Sequence, residues 1–161
     1  MLLQKLRSRN ISHLRHWISE MGRLYPAETL VNQLYIPLRR RLQCQQSTLY
    51  TLLSLLDGLL INYIAMILNS ARRKTGKDAL VVGWNITDTT RLWLAGWVAT
   101  QQGWRVDVLA NPLPQLRPEL FSGKAVLVWC GDAISEQQLH QLTEWREKGH
   151  RLIPWSGKGP I

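Results

Sequence analysis

Residues 78–110 constrain the fold more than any other stretch, because two short apolar runs enclose one helical pattern. The runs Ala79–Gly83 and Arg105–Leu109 are typical of strands that are covered on both faces. A polar loop, residues 84–88, separates the first run from a helix that opens at Asp88. A strand, a helix and a strand in this order predict a βαβ unit with parallel strands. Ligands of such sheets bind beyond the carboxyl ends of the strands, so this loop is the first candidate for a site.

The same alternation of strands and helices continues towards the end of the chain. Lys124–Cys130 and Arg151–Trp155 are predicted as strands, and a short helix is expected within residues 112–121. Between the two strands, Ser135–Lys148 begins with a capping-box signature and predicts a helix. Four parallel strands with three helices make an α/β fold, here a small doubly wound sheet. The last helix is expected to face the sheet with Leu139, Leu142 and Trp145.

The first half of the chain is predicted to be helical throughout. Apolar residues recur at helical spacing over residues 10–24 and over Ser47–Arg73, and a short helix is expected at Leu2–Ser8. Another helix should have Pro26 in its first turn and should break or kink near Pro37, because proline lacks the amide hydrogen that a helix interior needs. Together these helices predict an N-terminal four-helix bundle packed on the sheet.

Charge changes along the chain at the same place as the pattern. Residues 1–77 hold 12 Lys and Arg against 3 Asp and Glu, whereas residues 78–161 hold 8 of each kind. We therefore predict a helical subdomain over residues 1–77 and an α/β subdomain over residues 78–161. The run 39–41 is three arginines, but consecutive helical residues point in different directions, so a solvated and partly ion-paired surface is the simpler interpretation. The alternative is contact with DNA-binding domains, with a partner protein or with phosphates.

The sequence predicts a cytoplasmic protein with neither a signal peptide nor a membrane-spanning segment. The longest apolar run, Leu52–Leu68, is interrupted by polar residues and falls short of a spanning helix. The two cysteines, Cys44 and Cys130, form no metal-binding pair. His13 and His16 share a helix face without a third ligand, and no nucleophile is grouped with a base. Neither a metal site nor an enzymatic activity is therefore predicted.

A helix bundle followed by a small doubly wound sheet resembles the cobalamin-binding module of methionine synthase and of corrinoid- or light-sensing MerR regulators. Local runs make the likeness closer. They are similar to the C-terminal effector region of the MerR-like activators of curli and biofilm expression in enterobacteria: IPLRRRLQCQQ (36–46), LDG (56–58), INYIA (61–65), KDALVVGWNI (77–86), DTTRLWL (88–94), QQGW (101–104) and LRPELF (116–121). The resemblance implies a transcription activator that binds DNA only through an N-terminal winged-helix domain absent from this chain. It also implies a homodimer in the full-length regulator and a regulatory protein partner.

The resemblance also bears on the cofactor. The cobalamin module carries the motif D-x-H-x-x-G after its first strand, where the His ligates cobalt and the Gly leaves room for the corrin tail. In this register the chain has Ile86 at the Asp position, Asp88 at the His position and Arg91 at the Gly position. A carboxylate is a hard oxygen ligand and replaces imidazole poorly on cobalt. The sequence therefore predicts a degenerate motif, with no cobalamin and no other cofactor.

The polar loop and one turn of the bundle remain as candidates for another ligand. We expect the loop to form a polar rim over aromatic rings, although capping of the following helix is the simpler explanation of Asp88. The bundle turn that carries a Glu-His pair in corrinoid sensors corresponds to residues 62–63. The candidate ligand-binding residues are Asn62, Tyr63, Asn85, Thr87, Asp88, Thr89 and Trp129. A working sensor of cobalamin or of another small ligand is thus the alternative to a protein-interaction domain.

Overall fold

The structure, a computed structural model, describes residues 2–8, 10–43, 46–156 and 159–160. The chain forms two compact units: the helical unit, Met1–Ile67, and the α/β unit, Leu68–Ile161. The division lies inside a long helix, upstream of the charge boundary at residue 77. The reason is that the last turn of this helix packs within the α/β unit, where a Cβ built on Gly96 would lie 3.9 Å from Leu68 Cδ1.

The helices of the first half agree closely with the sequence prediction. They are α1 (Leu2–Ser8), α2 (Ile11–Leu24), α3 (Ala27–Leu30), α4 (Ile36–Leu42) and α5 (Ser47–Ala71). Asn10 caps α2, since its side-chain oxygen accepts a hydrogen bond of 3.2 Å from the His13 amide. Leu14 and Ile18 are buried on the predicted apolar face of α2. The period of apolar residues was therefore sufficient to place these helices.

The chain does not end its helix at Pro37. Residues Val31–Tyr35 form a π-helical segment that joins α3 to α4, and the Ile36 amide donates to the Val31 carbonyl. This wider turn lies just before the proline, where the ordinary hydrogen-bond pattern must be interrupted. Pro26 is also placed differently from the prediction, because it precedes α3 as its N-cap residue.

The arginine run 39–41 is not uniformly solvated. Arg39 is buried, with 4% of its side chain exposed, and pairs with Asp57 of α5. Its Nε donates to Asp57 Oδ1 at 2.7 Å and its Nη2 to Oδ2 at 3.0 Å. This two-point geometry is the strongest form of an arginine–carboxylate pair. The prediction of a solvated run was therefore wrong for Arg39, although the partial ion pairing is confirmed, and Arg40 and Arg41 are exposed.

Helix α5 is long and apolar enough to cross a membrane by length and composition alone. The sequence prediction that this run falls short was wrong on that point. The core helix of a soluble protein meets the same criteria, and Leu56, Leu60 and Ile64 of α5 are fully buried in the structure. This one helix is therefore weak evidence for a membrane span.

The second half is the predicted α/β fold. Its elements are β1 (Lys77–Gly83), α6 (Thr89–Gln101), β2 (Trp104–Val108), a 3₁₀ turn (Pro118–Phe121), β3 (Ala125–Trp129), α7 (Glu136–Glu147), β4 (Arg151–Ser156) and β5 (Gly159–Pro160). The strand order is β2-β1-β3-β4-β5. The first four strands are parallel, whereas the short β5 is antiparallel to β4 and was not predicted.

Each face of the parallel sheet carries its own core. On one face, Val82, Val126 and Val128 cluster with Leu142 of α7. On the other face α6 lies close to β2, because a Cβ built on Gly96 would lie 3.1 Å from a side-chain methyl of Val108. The predicted capping box of α7 is present, and Leu142 and Trp145 join its core as expected. The prediction that Leu139 also faces the sheet was wrong, because Leu139 is 44% exposed.

Candidate functional site

The topology of the sheet creates a crevice at the carboxyl ends of β1 and β3. The chain leaves β1 to form β2 on one side and then returns to form β3 on the other side. Where the winding direction reverses, the connections diverge and leave the position at which open α/β sheets bind their ligands. Here the loop 84–88, the start of α6 and residues 129–132 meet at this position.

A cluster of three side chains occupies one part of this crevice. Arg91, from the first turns of α6, lies over the ring of Trp129 with its guanidinium carbon 4.8 Å from the ring centroid. Its Nη2 donates to Asp132 Oδ1 at 2.6 Å. Only 13% of the Arg91 side chain is exposed, and Trp129 is buried. A cation over an aromatic face and an ion pair on the same guanidinium hold this side chain in one place.

Ile86 occupies the adjoining part of the crevice. A Cβ built on Gly83, the last residue of β1, would lie 2.9 Å from Ile86 Cδ1. A Cβ built on Gly131 would lie 3.9 Å from Ile86 Cγ2. The Ile86 side chain therefore lies over the ends of both central strands, and a Cβ at residue 83 would require this side chain to shift.

The loop after β1 is tied to a segment that the sequence did not indicate. The Asn85 amide donates to the Leu113 carbonyl at 2.8 Å, and the Leu113 amide donates to the Gly83 carbonyl at 2.7 Å. Asn85 itself has a φ of 56°, a left-handed conformation that asparagine tolerates better than most residues. Trp84 points to the other face, where its ring lies 5.5 Å from that of Trp145. These contacts fix the loop backbone.

The predicted rim residues lie together around the crevice. Asn85 and Thr87 are exposed, whereas Asp88 and Thr89 are half-buried at the start of α6. Asp88 has the extended backbone of an N-cap residue, but its side chain makes no capping hydrogen bond. The prediction that its carboxylate caps α6 was therefore wrong in that respect, although the helix does begin directly after it.

Asn62 and Tyr63 lie in the helical unit, on α5. They line a groove of about 250 Å³ together with Arg15, Ile18, Ser19, Leu59 and Met66. The Tyr63 ring packs against Gly22 of α2, where a Cβ would lie 2.7 Å from Tyr63 Cζ. Burial raises the pKa of the Tyr63 hydroxyl, and nearby Arg23 lowers it in part. Tyr63 is thus a packed side chain whose edge reaches the groove, whereas Asn62 is exposed.

Groups suited to metal binding or nucleophilic chemistry are sparse. Among the residues that the structure describes, no three His, Cys, Asp or Glu side chains gather closely enough to hold a metal ion. Cys130 is a free cysteine beside the crevice, and burial raises the pKa of its thiol to about 11. Because the thiolate is the reactive form, this cysteine is poorly suited to nucleophilic attack. Cys44 lies outside the described residues.

Sequence reasoning missed the partner of Arg91 and the role of residue 113. Asp132 is a single acid after β3, and its pairing with a side chain 41 residues earlier leaves no local pattern in the sequence. The Leu113 bridge lies in an irregular segment without periodicity. A small signal was available for the first contact, since both residues follow strands that were correctly predicted as parallel.

Comparison with known proteins gives a consistent assignment. The family model described as "Transcriptional regulator MlrA, helical domain" matches residues 1–69, and the model described as "Transcriptional regulator MlrA, C-terminal domain" matches residues 76–152. The chain is 65% identical over 153 residues to the HTH-type transcriptional regulator MlrA of Escherichia coli. The aligned region covers 95% of this chain and 63% of the relative. It is 61% identical, with the same coverage, to the protein of that name from Salmonella typhimurium. No solved structure is significantly similar to the chain.

The two family models divide the chain between residues 69 and 76, where α5 ends and β1 begins. The chain spans 63% of the length of these relatives, and that part comprises the two units described above. The chain therefore belongs to the MlrA family of transcriptional regulators, of which it contains the helical and C-terminal domains.

Proposed function

We propose that this chain is the signal-receiving and protein-interaction region of a MerR-family activator of curli and biofilm genes. In this proposal the region binds a regulatory protein partner and does not bind cobalamin. Recognition of DNA and pairing of the full-length regulator as a homodimer belong mainly to the domain that precedes this region. The regulator acts in the cytoplasm and has no enzymatic activity of its own. The names of the relatives support the role in transcription, since both are HTH-type transcriptional regulators.

The observation that carries the proposal is the filled crevice. A small ligand at the carboxyl edge would need the space above Gly83 and the ring of Trp129, and Ile86 and Arg91 occupy these two places. To vacate its place, Arg91 would have to lose both the aromatic contact and the ion pair with Asp132. Coupled contacts of this kind favour a fixed surface over a pocket that opens for a ligand.

The donor set also fits cobalamin poorly. The cofactor needs an imidazole at the position of Asp88, and a carboxylate is a harder ligand than cobalt favours. It also needs a small residue at the position of Arg91, whose guanidinium instead lies over Trp129. The corrinoid reading of the family resemblance is therefore not supported by the residues present.

A rigid and exposed loop is well suited to docking by a protein. Asn85 and Thr87 present polar side chains from a backbone that is fixed by hydrogen bonds to Leu113. Such a loop loses little conformational freedom when a partner binds, which favours affinity. Loops that a rigid scaffold positions in this way often carry the recognition residues of a domain.

The experiment that tests the proposal uses the full-length regulator and a reporter fused to its target promoter. Asn85→Gly with Thr87→Ala should reduce activation at least several-fold while leaving operator binding in a gel-shift assay unchanged, and glycine adopts the positive φ of residue 85 without strain. The matched control, Gln102→Ala with Gln137→Ala, removes two exposed amides elsewhere on the α/β unit and should leave both readouts unchanged. Normal activation by the loop variant would contradict an effector role for this edge.

The alternative, a cobalamin sensor, has its own test. Protein incubated with hydroxocobalamin and desalted should emerge colourless, and retention of a corrin spectrum would establish the alternative. Asp88→His with Arg91→Gly restores the ligand and the space that the motif needs, so it should increase cobalamin retention. Arg117→Gly, which removes an exposed arginine away from the crevice, should retain none.

A further inference from the structure

The amino edge of the sheet, opposite the crevice, carries a basic cleft of about 820 Å³. It is lined by the first residues of the parallel strands and by the residue after α5. Its cations come from both halves of the chain, since three of them lie in residues 78–161, where acidic and basic side chains are equal in number, and two lie in residues 1–77. Its five cations are Arg72, Lys77, Arg105, Lys124 and Arg151.

Two carboxylates in the cleft hold two of these cations in place. Arg105 donates through Nε to Asp78 Oδ1 at 2.8 Å and through Nη1 to a backbone carbonyl at 3.3 Å. Arg72 pairs with Asp107. These two pairs are largely exposed, so they orient the arginines without removing them from solvent. The cleft retains a net charge of three positive units after both carboxylates are counted.

The other three cations remain open to solvent. Lys77 starts β1, Lys124 directly precedes β3 and Arg151 starts β4, and these three strands are neighbours in the sheet. Across the part of the chain that the structure describes, Lys124 and Arg151 make no ion pair, and the Lys77 ammonium lies 5.9 Å from the centroid of the Trp104 ring. Arg151 pairs with Ala125 and Ala125 with Ala79, two residues along β1 from Lys77, so the three cations form a slanted row. With a strand spacing of about 4.8 Å and a rise of about 3.3 Å per residue, the row is about 12 Å long at the backbone, which is the scale of a few successive phosphates along one DNA strand.

The character of the cleft favours a polymer over a small ligand. Pockets for small molecules are mostly apolar and bury most of the ligand surface. This cleft is lined largely by charged side chains, and Lys77, Lys124 and Arg151 are all exposed. Each phosphate contact would therefore be weak, and only a partner that presents several phosphates in a row would gain from all three. DNA is such a partner, and its backbone contacts carry no sequence information.

We propose that the amino edge of the α/β unit is a sequence-independent binding surface for the phosphate backbone of DNA. Operator recognition stays with the separate DNA-binding domain, and the cleft adds contacts to DNA that lies beside the operator. The weak affinity of the cleft becomes useful because the unit is tethered to a protein already bound to DNA, which raises its effective concentration. This inference extends the proposed function and involves none of the residues of the crevice.

The test measures binding of this chain to a short fluorescent duplex by anisotropy between about 50 and 200 mM salt. Wild-type protein should bind two duplexes of unrelated sequence equally. The slope of the logarithm of the binding constant K against the logarithm of salt concentration is negative. Replacing Lys77, Lys124 and Arg151 by Gln should reduce its magnitude by about 2.7, because each lost phosphate contact contributes about 0.9. Over this salt range the wild type should lose about 40-fold more affinity than the variant. Asp107→Asn should have the opposite effect and strengthen binding.

The matched control replaces Arg41, Arg117 and Lys148 by Gln, which removes the same charge from exposed positions outside the cleft. It should keep the wild-type slope. An equal loss in the control would assign binding to diffuse charge and overturn the inference, and so would an unchanged slope in the cleft variant. A clear preference between the duplexes, or tighter binding of a single nucleotide than of the duplex, would also overturn it. The single variant Lys124→Gln, at an exposed turn, provides the readout if the triple variant folds poorly.

Discussion

The buried pair of Arg39 and Asp57 allows a sharp prediction about the helical unit. Asp57→Ala removes the carboxylate that holds Arg39 at two points, while the Arg39 side chain is only 4% exposed. Loss of one partner of a buried pair destabilises a protein by 3–5 kcal/mol, because the remaining charge is desolvated without compensation. Asp57 itself is partly exposed, at 19%, so water can replace some of the loss. We therefore expect the free energy of unfolding to fall by about 3 kcal/mol.

The assay is urea unfolding followed by helical circular dichroism. With a denaturant dependence of about 2 kcal/mol per M, the midpoint should fall by about 1.5 M. Arg41→Ala is the matched control, because Arg41 is the exposed neighbour in the same run. It should change the free energy of unfolding by no more than about 0.5 kcal/mol.

A second variant separates the charge effect from a loss of packing. Arg39→Met with Asp57→Leu replaces both partners by apolar side chains and should recover most of the stability that Asp57→Ala loses, because no buried charge remains. An Asp57→Ala midpoint within error of the Arg41→Ala midpoint would refute the reasoning. It would mean that Arg39 is solvated in solution and that the arginine run is a surface after all.

Two further predictions concern single contacts. Gly22→Ala should lower the free energy of unfolding by about 1–3 kcal/mol despite the better helix propensity of Ala, because its Cβ would overlap the Tyr63 ring, and Tyr63→Phe in the same chain should restore part of the loss. In a Cys44→Ser background, Cys130 should react with a thiol reagent near pH 8 about 100-fold more slowly when folded than in urea, since burial raises the pKa of this thiol from 9.0 to about 11. This neutral buried thiol contributes stability that is complete below the unfolded pKa of 9.0 and is lost as pH rises through the folded pKa of about 11. Equal reaction rates of Cys130 in the folded and the unfolded protein would contradict its burial.

The sequence was informative where a local pattern determines the structure. Periodic apolar residues placed α2 and α5, and short apolar runs placed β1 and β3, because burial of one face or of both faces leaves a visible spacing. Contacts between distant residues leave no such trace. The charge of Arg39 could be read from the sequence, but its burial depends on a carboxylate 18 residues away. The π-helical segment before Pro37 likewise depends on how the chain resolves a missing hydrogen bond, for which the sequence shows only the proline.

The same limitation explains why the distribution of net charge along the sequence does not predict the charged surfaces of this chain. The first half carries the whole excess of positive charge, yet one member of its most basic run is buried in an ion pair. The second half is neutral by count, yet the parallel strands bring Lys124 and Arg151 to one edge, beside Lys77 from the end of the basic half. At the carboxyl edge, Arg91, which the sequence register places in the degenerate cobalamin motif, lies over the ring of Trp129. Topology, rather than composition, therefore decides which charges are available to a partner, and in this chain it makes the amino edge basic while filling the crevice at the carboxyl edge.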